Sequence, residues 1–244
     1  MNIIYPASIL NNKKVDEMFE EEYLEARSLH SCFLLNNKLP DTTDKLLYRG
    51  WMLSEAEYKE LENTRNVLIP FSEYESNHYF NGWYELIKEY TIESIVCSNA
   101  EEACKKFKES GWEQCFVKDA VKSLTTKRGS IVSSVEELKE VLSELDRVRN
   151  IERYIVLRKV VELENEKEIR YFSINGKVYS PNNNPIPESV IKCGEILKDR
   201  KFCSIDSCVD TKGNHLIIEV GDGQVSDVKM WSYPDFTKML INVG

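Results

Sequence analysis

No stretch of this 244-residue sequence approaches the roughly 20 consecutive apolar residues that a membrane span requires. The N-terminus, MNIIYPASILNNKKVDEMFEEEY, has no basic segment ahead of its apolar residues and turns acidic quickly. A secretory leader is therefore not expected, and a cytoplasmic location is. There is no CxxC pair, and the cysteine count is odd: Cys32, Cys97, Cys104, Cys115, Cys193, Cys203 and Cys208. Neither a zinc site nor a disulfide framework is suggested, and reduced thiols are the simplest state. Basic excess is lacking too, since the formal charge is -9. That argues against a general grip on nucleic acid, which needs a basic surface to displace counterions, and leaves room only for a local basic groove. Heptads, internal repeats and low-complexity linkers are absent, and so is the Walker A order G-x-x-x-x-G-K-[ST].

What is present is the composition of an ordinary soluble globular chain, 42% hydrophobic and 30% charged, long enough to bury a substantial core. The elements are mixed. NIIY opens as a strand, followed by an acidic helix around VDEMFEEEYLEARSL. KLLYRGW reads as a strand leading into a helix at SEAEYKELENT, where Ser54 and Glu57 have capping-box spacing. NVLIP is a further strand candidate and NGWYELIKEY a further helix. SIVC predicts a strand, and SNAEEACKKFKESG a helix capped by Ser98 with Glu101 and stopped at Gly111. QCFVKD is again strand-like. SSVEELKEVLSELDRV places Val135, Leu138, Val141, Leu142, Leu145 and Val148 on one helical face.

After residue 150, RYIVLRKVVE, EIRYFSINGKVYS and HLIIEVGDG read as antiparallel sheet, with a helix at PESVIKCGEILKDR. Asn175-Gly176 is a hairpin signal. The fold class expected is α+β, with a junction near residue 95.

Three places could carry chemistry. Lys118 and Lys122 end the run CFVKDAVKS, ahead of a small-residue segment holding Lys127 and Arg128. Cations and free amides so placed suit a polyphosphate; the ordinary alternative is a solvated strand end. Glu219 and Asp222 follow an apolar strand, with Gly221 and Gly223 beside them. A hairpin turning at TKGN would bring Asp206 onto the strand paired with that of Glu219. Two such acids repel unless a cation or proton relieves them, and hard oxygen ligands suit Mg²⁺. A plain Gly/Asp turn is the alternative. Glu168 and Arg170 alternate on one strand face, either toward a cleft or as a surface ion pair.

The order of these features, from FVKDAVKS through EIRYFSINGKVY to SIDSCVDTKGNHLIIEVGDGQ, resembles the ATP-grasp superfamily over residues 94 to 244. IIYPAS and LLYRGWMLSEAEY look like the N-terminal domain of a small bacterial and phage clade of it. The resemblance implies an ATP-grasp fold, two α+β subdomains clasping the nucleotide over residues 95–244. A small α/β pre-grasp domain over 1–94 precedes them.

It implies that Lys118 contacts the nucleotide phosphates and that Lys122 joins it. Arg158, Lys159, Val160 and Val161 would pass the adenine, and Glu168 would hold the ribose. Asp206 and Glu219 would be Mg²⁺ ligands. Gly221 stands where the superfamily commonly has the Asn of E-x-N, so Asp222 would serve instead. Arg49 and Arg170 would face the acyl-phosphate or a substrate carboxylate.

The implied activity is ATP-dependent carboxylate–amine or carboxylate–thiol ligation through an acyl-phosphate, on small-molecule or peptide substrates. Two alternatives stay open. One is an ATP-binding regulatory module without turnover. The other is a covalent-lysine nucleotidyltransferase, although those use K-x-D-G and here Asp119 directly follows Lys118.

Overall fold

A computed structural model describes residues 1–35, 44–121, 129–149, 153–164 and 168–244. In chain order the first elements are β1 (Asn2–Tyr5), α1 (Glu20–Ala26), β2 (Ser31–Leu34), β3 (Leu46–Tyr48), α2 (Glu55–Thr64) and α3 (Phe71–His78). Next come α4 (Phe80–Ile87), β4 (Ser94–Cys97), α5 (Ala100–Ser110), β5 (Cys115–Asp119), β6 (Ile131–Val132), α6 (Val135–Arg149) and β7 (Ile155–Lys159). The chain ends with β8 (Ile169–Ile174), β9 (Lys177–Tyr179), α7 (Glu188–Ile196), β10 (Phe202–Val209), β11 (His215–Asp222) and α8 (Tyr233–Leu240). No described helix is long and apolar enough to cross a membrane.

Contacts divide the chain into two units. The first comprises Met1–His78, Lys167–Ser207 and Glu219–Gly244, and the second Tyr79–Glu166 and Cys208–Ile218. In the first unit, β2, β1 and β3 form a parallel sheet, and β11, β10, β8 and β9 lie side by side in another. Ile3, Tyr5 and Leu47 from the parallel sheet share one core with Phe172, Ile174 and Phe202 from the other and with Phe236 and Leu240 of α8. That shared core joins the N-terminal strands to the C-terminal ones. The junction expected near residue 95 falls inside the second unit.

The second unit is a sheet in the order β4-β7-β5-β6, antiparallel throughout. Cys115, Val117, Ile155 and Leu157 turn one face onto α5 and α6, where Phe107, Leu138, Val141 and Leu142 complete the core. Period-2 alternation then leaves Phe116, Lys118 and Arg158 on the opposite face.

Local signals survive well. Ser54 and Glu57 form both arms of the capping box. Gly111 ends α5 at φ 67, and Asn175 and Gly176 at φ 50 and 85 make the β8–β9 turn, where positive φ suits strand twist.

Other expectations are corrected. The cap of α5 lies one residue later, with Asn99 accepting from Glu102 N–H and Ser98 instead donating to the Glu102 carboxylate. NVLIP is not a strand: Val67 makes a single bridge to Leu46 before Pro70 leads into α3. RYIVLRKVVE contributes β7 to the second unit's sheet and does not pair with β8. The strand β2 and the helix α8 were not foreseen.

Candidate functional site

Lys118 is the next-to-last residue of β5, on the face away from α5 and α6, and is 4% exposed. Arg158, opposite Phe116 in the register, is buried on the same face, and both cations approach the ring of Phe80, at 5.9 and 5.5 Å from its centroid. Cation–ring attraction of this kind is modest, and it fixes direction more than it binds. Arg158 donates to Ile218 O at 2.7 Å and to Ser94 Oγ at 3.3 Å. Lys159 is exposed, and Val160 and Val161 are half-buried after the strand. Lys122, Lys127 and Arg128 lie outside the described residues.

In the first unit, antiparallel pairing of β8 with β10 sets Arg170 opposite Asp206. Arg170 Nε and Nη2 grip the Asp206 carboxylate at 2.8 and 2.6 Å, and Nη1 reaches the Asp227 carbonyl and carboxylate at 3.0 and 2.8 Å. This is a two-pronged fork that lysine cannot reproduce. Burial alone would lower the Arg170 pKa, but Asp206, Asp227 and Glu219 reverse it and the net shift is upward. Lys229, from the turn after β11, bridges Glu168 at 2.6 Å and Asp206 at 3.0 Å. Its burial would likewise lower its pKa, and Asp206 more than offsets this. Glu168, Arg170 and Asp206 thus converge on one charged cluster, with Glu219 half-buried on the strand next to β10.

Two expected residues lie elsewhere. Arg49 is enclosed in the interior of the first unit, 1% exposed. Its fork grips Glu22 at 2.9 and 2.6 Å, and Nη1 donates to the carbonyls of Gly223, Gln224 and Ser226 at 2.8, 3.0 and 2.9 Å. A substrate carboxylate would have to expel Glu22. The side chain holds the 223–226 turn.

Asp222 is fully buried, and burial pushes its carboxyl up to about 7 against hydrogen bonds from Asn77 and Gln224. Asn77 Nδ2, Gln224 N and Gln224 Nε2 each donate to it at 3.0 Å.

For a divalent cation, fit differs by residue. Asp222 is enclosed by donors and fits an interior hydrogen-bonding role, not a ligand's. Among the described residues, no three His, Cys, Asp or Glu side chains gather as a metal cluster. Mg²⁺ needs fewer, since it binds through one or two carboxylates together with substrate phosphates. Asp206 also accepts from three donors, but one of them is the 25% exposed ammonium of Lys229, so it fits that requirement where the cation takes the place of Lys229. Sequence reasoning missed Lys229. Its only signal was a cation soon after the acidic turn.

Comparison with known proteins agrees with this architecture. Among solved structures, D-cycloserine synthetase DcsG matches with a TM-score of 0.69 at 9% identity, covering 98% of each chain. The D-alanyl-alanine synthetase A of Vibrio cholerae O1 matches at 0.64 and 12% identity, over 100% of this chain and 97% of that one. The macrocyclase MdnC from Microcystis aeruginosa, bound to its precursor peptide MdnA, matches at 0.59 and 12% identity over 99% and 100%. At such identities the likeness establishes a shared fold, that of the ATP-grasp proteins. A family model places the chain more narrowly: over residues 81–240 it matches the ATP-grasp domain, R-two-K clade family 3, and the chain belongs to that family. No curated protein matches.

Proposed function

We propose that the chain is an ATP-dependent ligase that joins a carboxylate to an amine through an acyl-phosphate. The observation that carries this reading is the burial of Lys118 and Arg158 on one face of the β5–β7 pair, both toward the Phe80 ring, in a chain of net charge -9. Buried cations at a strand end suit a polyphosphate, and membership of an ATP-grasp family names the nucleotide. A carboxylate oxygen attacks the γ-phosphorus, the bond to the β-phosphate oxygen breaks, and ADP leaves. The amine nitrogen then attacks the acyl carbon, the carbon–oxygen bond to phosphate breaks, and the amine loses a proton as inorganic phosphate departs.

Lys118 neutralises charge spread over the phosphoryl oxygens. Glu168 holds the ribose hydroxyls, and the backbone of 158–161 meets the adenine. Asp206 and Glu219 are the carboxylates for Mg²⁺, which when bound supplies further neutralisation of the phosphates. Arg170 orients Asp206 through its fork and is a positioning residue in this reading. Amino acids and peptides are the substrate pool to try first, because the fold is shared with a D-alanyl-alanine synthetase and with a macrocyclase bound to a precursor peptide.

The test is ADP release on incubation with ATP, Mg²⁺ and pools of amino acids and short peptides, for wild type and Glu219→Gln. The expected outcome is substrate-dependent ADP release that Glu219→Gln abolishes. Normal release by Glu219→Gln would remove the metal role. Label from α-labelled ATP retained on the denatured protein, without ADP, would point to nucleotidyl transfer and overturn the proposal.

A further inference from the structure

The segment from Gly223 to Lys229 is held more firmly than an ordinary turn. Arg49 takes the carbonyls of Gly223, Gln224 and Ser226, and Arg170 takes both the carbonyl and the carboxylate of Asp227. Trp231 N–H then donates to Val228 O, closing a turn whose first central residue is Lys229 at φ 43. Glycine is cheapest at a positive-φ turn position, and asparagine or aspartate next. Lysine in that place needs support from tertiary contacts. Backbone strain of this kind gathers where a side chain must be aimed.

The aim here is specific. Lys229 Nζ lies 2.6 Å from Glu168 Oε2 and 3.0 Å from Asp206 Oδ2, on an Asp206 carboxylate that Arg170 already holds. The two cations differ in how easily they leave. Arg170 is fixed by four hydrogen bonds to Asp206 and Asp227. Lys229 is a single ammonium on a flexible stem, 25% exposed, with water within reach.

We propose that Lys229 is a built-in counter-cation for the Glu168–Asp206 pair, which a divalent metal arriving with the nucleotide displaces. Before the metal binds, Lys229 relieves the repulsion between the two acids and keeps them in place. When the metal takes Asp206, Arg170 stays and preserves the carboxylate's orientation, so the metal competes with one positive charge instead of two. The released ammonium is then free to meet the phosphate oxygens that the metal brings. Lys229 acts through Asp206 and is a positioning residue. This inference rests on the assignment of Asp206 as a metal-binding carboxylate in the proposed function.

The experiment is a titration with Mn²⁺, read as free metal by electron paramagnetic resonance, on the full chain with and without ATP. Lys229→Met removes the charge at nearly the same length, and Lys229→Arg keeps it. Without nucleotide, Lys229→Met is expected to bind Mn²⁺ about tenfold tighter than wild type, since a competing unit charge beside the carboxylate is gone. Lys229→Arg should stay within about twofold of wild type, and adding Asp206→Asn to Lys229→Met should erase the gain. Should the Met variant fold poorly, Lys229→Gly makes the same charge change while easing the positive φ.

Unchanged or weaker Mn²⁺ binding by Lys229→Met, or by Lys229→Gly in its place, overturns the proposal. The proposed function still stands in that case if wild type releases ADP from Mg·ATP. A wild type that binds no Mn²⁺·ATP and releases no ADP takes both down together.

Discussion

Replacing Arg49 with lysine is expected to destabilise the first unit substantially. The guanidinium makes five donor contacts: two to Glu22, itself 3% exposed, and three to the carbonyls of Gly223, Gln224 and Ser226. The Tyr5 hydroxyl adds a third donor to Glu22, and the Phe236 ring lies 4.7 Å from the Arg49 guanidinium carbon. Lysine keeps the charge but has one nitrogen and three protons, so it cannot reach Glu22 and all three carbonyls together.

Burial alone would lower the Arg49 pKa, but Glu22 raises it overall, so the guanidinium depends on the hydrogen bonds it makes to Glu22. Losing one partner of a buried pair costs about 3–5 kcal/mol, and a lysine that still neutralises Glu22 recovers part of that. Leaving one or two buried carbonyls unsatisfied costs about 1–3 kcal/mol each. A net loss of about 2–4 kcal/mol is therefore expected, a large share of a typical stability of about 5–15 kcal/mol.

Urea unfolding followed by Trp fluorescence measures it. Arg49→Met, Glu22→Gln and their double variant then isolate the coupling, which should exceed about 1 kcal/mol. Turnover should fall as well, because the 223–229 segment loses its anchor. If Arg49→Lys unfolds within about 0.5 kcal/mol of wild type while ADP release drops, the interior role assigned here is wrong and Arg49 meets substrate.

Two further outcomes are expected. Lys118→Ala should weaken ATP binding by roughly tenfold to a hundredfold, the loss of one charge-assisted phosphate contact; calorimetry on the folded variant giving wild-type affinity would remove Lys118 from the nucleotide site. Asp222 gives a pH dependence: its folded carboxyl is raised by burial to about 7, from an ordinary value near 3.8. Its contribution to stability is fully present below about pH 4 and is lost as pH rises through about 7. Asp222→Asn should flatten stability against pH across that window, and an unaltered profile in urea unfolding would show that Asp222 titrates normally.

Much of the fold was legible because its signals are local. A helix with Ser54 and Glu57 at its start, a left-handed stop at Gly111 and a hairpin at Asn175-Gly176 each depend on a few adjacent residues. The collinear order of Lys118, Glu168, Asp206 and Glu219 was likewise readable, since it needs only the linear sequence.

Strand partnership was not. β7 and β8 look alike as apolar runs, yet β7 pairs with β4 and β5 while β8 pairs with β10 and β9. Nothing within either run encodes a partner so distant in the chain. The charged residues show the same limit. Arg49 reads as an arginine beside a tryptophan, and only folding brings Glu22 and the 223–226 carbonyls around it. Lys229 stands 61 positions from Glu168 and 23 from Asp206, so no spacing rule could join them. The sequence determined which residue types were available and the local shape of each segment. Tertiary structure decided which charges meet, because a buried ion needs its partner within a few ångströms and only the folded chain supplies that proximity.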